Sequence, residues 1–157
     1  MNTLASHLST SDIELGVEVD DKRALFDAVG RHVERRHGFP HERVIAALYR
    51  REQAGSTGVG QGVAIPHARI DGTERILACY FRLSAPIAFE ASDGKPVSHV
   101  LTLFVPKPAT DEHLQILAET TRLFSDSAFR TLLDAASSSE EVLELLTKWD
   151  DISSGNG

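Results

Sequence analysis

The chain has 157 residues, 41% of them apolar and 25% charged, an ordinary composition for one globular domain with a core of its own. Sixteen Lys and Arg stand against 23 Asp and Glu, a net charge of −7 with no basic cluster, which argues against a nucleic-acid binder. A single cysteine, Cys79, rules out an intramolecular disulfide and a cysteine zinc cage, and no apolar stretch reaches the ~20 residues that span a bilayer.

Taken in chain order, Ile13, Leu15, Val17 and Val19 alternate with polar or small residues and predict a first strand. Asp20 and Asp21 offer a cap for a helix from Lys22 to about His37, with Leu25, Ala28, Val29 and Val33 inward and Gly38 as its stop. Pro40 suits the first turn of a second helix reaching about Glu52, with Val44, Ala47 and Leu48 as its apolar face. Four glycines between Gly55 and Gly62 then break regular structure and read as a loop whose exposed N–H groups suit an anion. The short apolar run Val63 to Ile65 ends at Pro66, which has no N–H for a ladder, so His67 is expected at a strand end beside the glycine loop.

Two further strands are expected, Ile76 to Leu83 and Val97 to Val105, separated by a turn at Asp93-Gly94. Cys79 sits in the first of them as a small buried hydrophobe of a reducing compartment. The last third reads as helical. Asp111 is the expected cap of a helix with Leu114, Leu117, Ala118 and Thr121 inward. Ser125 or Asp126 opens the next, with Phe129, Leu132 and Leu133 inward. Ser138 and Ser139 open the last, with Val142, Leu145 and Leu146 inward. This order predicts a single three-layer α/β/α domain over residues 1–149 with a mixed β-sheet, followed by a flexible tail over 150–157.

Histidine suits phosphoryl transfer because neutral imidazole is nucleophilic near its pKa of about 6.5 and its phosphoramidate passes the group onward. His67 is the candidate. The glycine run is not a Walker A loop, since no Gly-Lys-Ser/Thr follows. His7, His32, His37 and His41 are expected on the surface without a role, and His99 has no motif around it. No His-Glu-x-x-His pair points to zinc, and no cofactor is expected. The N-terminus shows no signal-peptide pattern, so a cytoplasmic location is expected, without membrane insertion.

Several segments together resemble the fructose/mannitol class of enzyme IIA of the bacterial phosphotransferase system, most closely its nitrogen-regulatory branch. They are Arg51-Glu52, Gly55-Ser56-Thr57-Gly58, Val63-Ala64-Ile65-Pro66-His67-Ala68, Pro86-Ile87-Ala88-Phe89, Asp93-Gly94-Lys95-Pro96-Val97 and Val105-Pro106. Ala68 departs from the glycine common there. The resemblance runs from about Leu4 to Leu146 and implies a phosphotransferase/anion transport protein-like fold. It implies His67 as the residue phosphorylated at Nε2 (tele) and His113 as a second site histidine that orients it or binds a phosphoryl oxygen. Arg51 becomes the phosphate-neutralising guanidinium. Ser56 and Thr57 are either hydrogen-bond donors to the phosphate or plain turn residues, and Arg69 either faces a partner or is a surface charge. Implied partners are an HPr or nitrogen-HPr phosphocarrier as donor and regulated target proteins; a IIB domain would replace the targets if the chain served sugar transport. With no fused HPr, IIB or membrane domain in this sequence, regulation is the expected main role.

Overall fold

Asp21 accepts a hydrogen bond from the Ala24 N–H at 2.8 Å and so caps helix α1 (Lys22–His37), which Gly38 closes at φ 80°. Helix α2 (His41–Gln53) starts directly after Pro40, which occupies the cap instead of the first turn. These two helices pack together against one face of a sheet in this computed structural model, which describes residues 4–107 and 110–154.

The sheet comprises β1 (Ile13–Val17), β2 (Gly58–Gly60), β3 (Val63–Ala64), β4 (His67–Arg69), β5 (Leu77–Ile87) and β6 (Val97–Val105). Its order is β1-β5-β6-β3-β2, with β4 also on β6. The β5–β6 and β2–β3 pairs are antiparallel, while β1, β3 and β4 pair in parallel, so the sheet is mixed as expected. Alternation along its central strands separates two cores. Phe81, Val100 and Phe104 meet Phe26, Val29, Val44 and Leu48 on the α1–α2 face. Tyr80, Leu101 and Leu103 meet α3 (Asp111–Ser125), α4 (Ser127–Ala135) and α5 (Ser139–Ser154) on the other, through Phe124, Phe129 and Leu146. Both faces of β5 and β6 are covered, which is why their sequences are apolar almost throughout.

Several expectations need correction. The glycine stretch is a β-hairpin rather than a loop: β2 and β3 are joined at Gln61 and Gly62, whose φ of 59° and 80° suit a tight two-residue turn. Gly58 has no room for a side chain, since a Cβ there would lie 2.9 Å from the Ala91 backbone. The cap of α3 is Thr110, and Asp111 is its first helical residue. The buried stripe of α3 is Ile116, Thr120, Leu123 and Phe124; Leu114 is 62% exposed. In α4, Phe129 and Leu133 are buried but Leu132 is exposed. Helix α5 runs to Ser154, into the stretch expected as a tail, and residues 155–157 lie outside the described residues.

His32 corrects the view that the helical histidines are all superficial. It is buried, and its Nε2 lies 2.8 Å from Asp12, a buried carboxylate that Ser9, Arg36 and His37 also contact. Burial pushes the Asp12 pKa up, but the His32 hydrogen bond, the charges of His37 and Arg36 and the Ser9 hydroxyl outweigh it, bringing it from 3.8 to about 2. A folded-state pKa below the unfolded value adds stability above pH 4 that disappears as pH falls through 2, worth about 2 kcal/mol. Acid unfolding followed by circular dichroism should therefore steepen between about pH 4 and 2 in the parent and flatten there in Asp12→Asn. An equal slope for both proteins would remove the network from the acid response.

Candidate functional site

Strand β3 ends at Ala64, short of Pro66, and β4 begins at His67, so His67 stands at a strand end as expected. Val63 and Ala64 pair with His99 and Val100, and His67 resumes against Leu103 in the same register. Proline only removes one N–H from the ladder, and its carbonyl still accepts from the Leu103 N–H at 3.0 Å. His67 is thereby held by parallel pairing on both sides of the proline, on a strand segment whose backbone it continues.

The half-buried His67 ring is gripped at both nitrogens. Nδ1 is 2.9 Å from the Ile65 carbonyl, and the Arg51 Nε donates to Nε2 over 3.2 Å. A carbonyl only accepts and a guanidinium only donates. The proton therefore belongs on Nδ1 and the lone pair on Nε2, an assignment made from the partners. Burial lowers the His67 pKa; the Ile65 carbonyl opposes this, Arg51 adds to it, and Glu52 opposes it more weakly. The net direction keeps the imidazole neutral near neutral pH, with Nε2 as its nucleophilic atom.

Arg51 lies in the last turn of α2, and its Nη1 also donates to the Gly55 carbonyl at 2.9 Å. The guanidinium is thus oriented by the chain that follows its own helix. Glu52 secures that same turn: it accepts from the Thr57 N–H at 2.8 Å, the Thr57 hydroxyl at 2.7 Å and the Lys22 ammonium at 3.1 Å. The Ser56 hydroxyl donates to the Phe89 carbonyl at 2.8 Å and accepts from the Gly58 N–H. The Ser56 and Thr57 hydroxyls are thus engaged within the turn, and neither residue lines the concavity around His67. Gly58, Gly60 and Gly62 belong to the hairpin, and none of the four glycines lines the concavity that holds His67.

His113 and His67 line one open concavity of about 550 Å³, together with Arg50, Arg51, Leu114 and Leu117. The Thr110 N–H donates to His113 Nδ1 at 3.1 Å, which leaves the ring proton to Nε2. No hydrogen bond joins the two imidazoles among the described contacts. Leu114, expected in the core, is instead exposed on an apolar wall of this concavity beside Leu117, which also packs against the second core as expected. Helical period puts Leu114 on an apolar stripe, and a period does not say whether that stripe meets a core or an opening.

One further histidine was not legible. His99 is buried, with Nδ1 2.7 Å from the Tyr80 hydroxyl and Nε2 2.8 Å from Asp134. Arg82 donates from the same side to the carbonyls of Leu133 and Ala136 at 2.7 and 2.6 Å, tying β5 to the end of α4. These contacts join sheet to helix away from His67. Among the described residues, no group of His, Cys, Asp or Glu is arranged to hold a metal ion.

Fold and site define an α/β domain that presents one neutral imidazole, braced by a carbonyl and a guanidinium, in a concavity shared with a second histidine. The chain belongs to the EIIA type 2 family of the phosphoenolpyruvate-dependent sugar phosphotransferase system, whose profile matches residues 6–149. It is 32% identical over 145 residues to a nitrogen regulatory protein of Escherichia coli K12, covering 92% of this chain and 89% of that one. It is 34% identical over 102 residues to a PTS system fructose-specific EIIA component of Haloferax volcanii, covering 65% and 66%. The crystal structure of nitrogen regulatory protein IIA-Ntr from Neisseria meningitidis superposes with a TM-score of 0.87 at 42% identity, covering 91% of this chain and 98% of that one.

Proposed function

We propose that this chain is a phosphohistidine carrier that accepts a phosphoryl group on His67 Nε2 from an HPr-type phosphocarrier and acts mainly as a nitrogen-regulatory enzyme IIA. The observation that carries this reading is the double grip on the ring, Nδ1–H on the Ile65 carbonyl and Nε2 facing the Arg51 guanidinium. The Nε2 lone pair attacks phosphorus, the bond from phosphorus to the donor's imidazole nitrogen breaks, and the donor leaves with that electron pair. The transition state is loose, so the protein contributes position and charge. Arg51 moves from the lone pair to the phosphoryl oxygens, and Ile65 stabilises the proton-bearing nitrogen as positive charge develops on the ring. In this reading His113, with its proton on Nε2 and in the same concavity, serves as a second donor.

Regulation follows from charge. The phosphoryl group brings about −1.5 to −2 charges to a face that a partner must desolvate. No helix among the described residues is long and apolar enough to cross a membrane; a cytoplasmic location is part of this proposal. Transport remains the second reading, favoured by the similarity to a fructose-specific component. Its mark would be rapid transfer from the phosphorylated chain to a sugar-specific IIB domain.

The test is incubation with phosphoenolpyruvate, enzyme I and an HPr-type carrier. Intact mass should rise by one phosphoryl group, acid-labile and base-stable, and nitrogen-15 NMR of the ring should locate it on Nε2. No mass increase, or phosphate on Nδ1, would overturn the reading. His113→Ala should still be labelled, only more slowly.

A further inference from the structure

The concavity around His67 carries a charge opposite to that of the protein as a whole. The chain has net charge −7. Yet Arg50, Arg51, Arg69 and Lys107 all line this opening, and none of the described residues lining it is acidic. They arrive from three separate segments: the end of α2, strand β4 and the residues after β6. Arg50 and Arg69 are exposed and have no carboxylate partner among the described residues, and Lys107 reaches only Asp71, at 3.7 Å. Among the described residues, the side chains of Arg50 and Arg69 make no hydrogen bond. Between these cations lies the apolar wall of Leu114 and Leu117, with Leu114 at 62% the most exposed large hydrophobic side chain described.

A cationic rim in which Arg50 and Arg69 have no carboxylate partner among the described residues, around an apolar wall, matches an apolar side chain flanked by carboxylates. We infer that this face, in its unphosphorylated state, docks an acidic segment of a partner protein, a leucine-like residue entering against Leu114 and Leu117 with carboxylates meeting Arg50, Arg69 and Lys107. The inference rests on the proposed phosphorylation of His67 for its regulatory half. A phosphoryl group there adds about two negative charges inside a rim of four cations, which cancels much of the attraction and repels the incoming carboxylates. Phosphorylation thus releases the partner through charge as well as through the cost of desolvating the phosphate. The complex weakens steeply with salt, because the rim cations are at the surface.

The test uses two synthetic peptides with the same leucine pair, flanked by glutamates in one and by lysines in the other, titrated into the nitrogen-15-labelled full chain. The expected result is that the glutamate peptide binds the unphosphorylated protein with shifts at Ala68, Arg69, Leu114 and Leu117, while the lysine peptide is at least about tenfold weaker. Arg69→Glu combined with Lys107→Glu should reverse that preference at unchanged melting temperature. Leu114→Ser, at an exposed position, should weaken the glutamate peptide without reversing it. Phosphorylation of the parent should weaken the glutamate peptide by about tenfold or more. Equal or tighter binding of the lysine peptide, binding of neither at this face, or indifference to the charge reversals would overturn the inference. The unphosphorylated titrations do not depend on the relay. Failure of the acidic preference leaves phosphoryl acceptance standing, and failure of His67 to take phosphate leaves the acidic preference standing.

Discussion

His67→Gln is expected to stay folded and to take up no phosphoryl group under conditions that fully label the parent. The reasons lie in what the ring does for the fold. It is half-buried, and its one hydrogen bond to the backbone, from Nδ1 to the Ile65 carbonyl, is worth about 1 kcal/mol. The strand around it is held by main-chain pairing with β6 on both sides of Pro66, which does not depend on the side chain. A glutamine amide can still donate to the Ile65 carbonyl, but its oxygen is a poor nucleophile and forms no stable phosphoryl adduct. The melting temperature should therefore move by a few degrees at most, while labelling measured by intact mass drops to zero. A labelled His67→Gln chain would relocate the acceptor, with His113 the next residue to examine.

Arg51→Ala is expected to slow phosphoryl uptake by about 10²- to 10³-fold, the usual cost of removing one preorganised charge from a developing phosphoryl transition state. Its guanidinium is already in place, oriented by the Gly55 carbonyl at 2.9 Å and resting on His67 Nε2 at 3.2 Å. Little reorganisation is needed when phosphate arrives. The same charge also helps hold the His67 pKa below 6.5, behind the larger effect of burial. The variant should therefore show a second change that a merely slow enzyme would not. Uptake depends on the neutral ring, so in the parent it falls as pH drops through a midpoint below 6.5, and in Arg51→Ala that midpoint moves upward. Stopped-flow or quench-flow uptake across pH 5 to 8 reads both the rate and the midpoint. Arg51→Lys keeps the charge but not the planar fork, and should recover part of the rate. An unaltered midpoint with a lowered rate would mean that the Arg51–His67 contact forms only transiently.

The helices and strands that local chemistry dictates were legible in advance. Asp21 and Gly38 bracket α1 because a carboxylate can cap free N–H groups and glycine can take a positive φ. The strand Val97–Val105 stands between two prolines, Pro96 and Pro106, which mark its ends because proline has no N–H for a ladder. The motif around Pro66-His67 singles out an imidazole that the fold leaves half-buried in an open concavity, for the same local reason, a proline interrupting a buried strand beside glycines.

What a line of residues could not specify was how distant segments meet. The partners that set the His67 tautomer come from another element and from a carbonyl two residues away, and only folding brings Arg51 to Nε2. Glycines that look alike as a loop separate into a hairpin and a turn, because Ala91 and Asp93 from a later segment pack against them. That Phe89 and Glu52 take the hydrogen bonds of the Ser56 and Thr57 hydroxyls is likewise set by tertiary contacts. His32 and Leu114 fall on the unexpected side of the surface for one reason. Helical period says which residues share a face, and only the packing of the other elements says whether that face meets Asp12, a core or an open concavity.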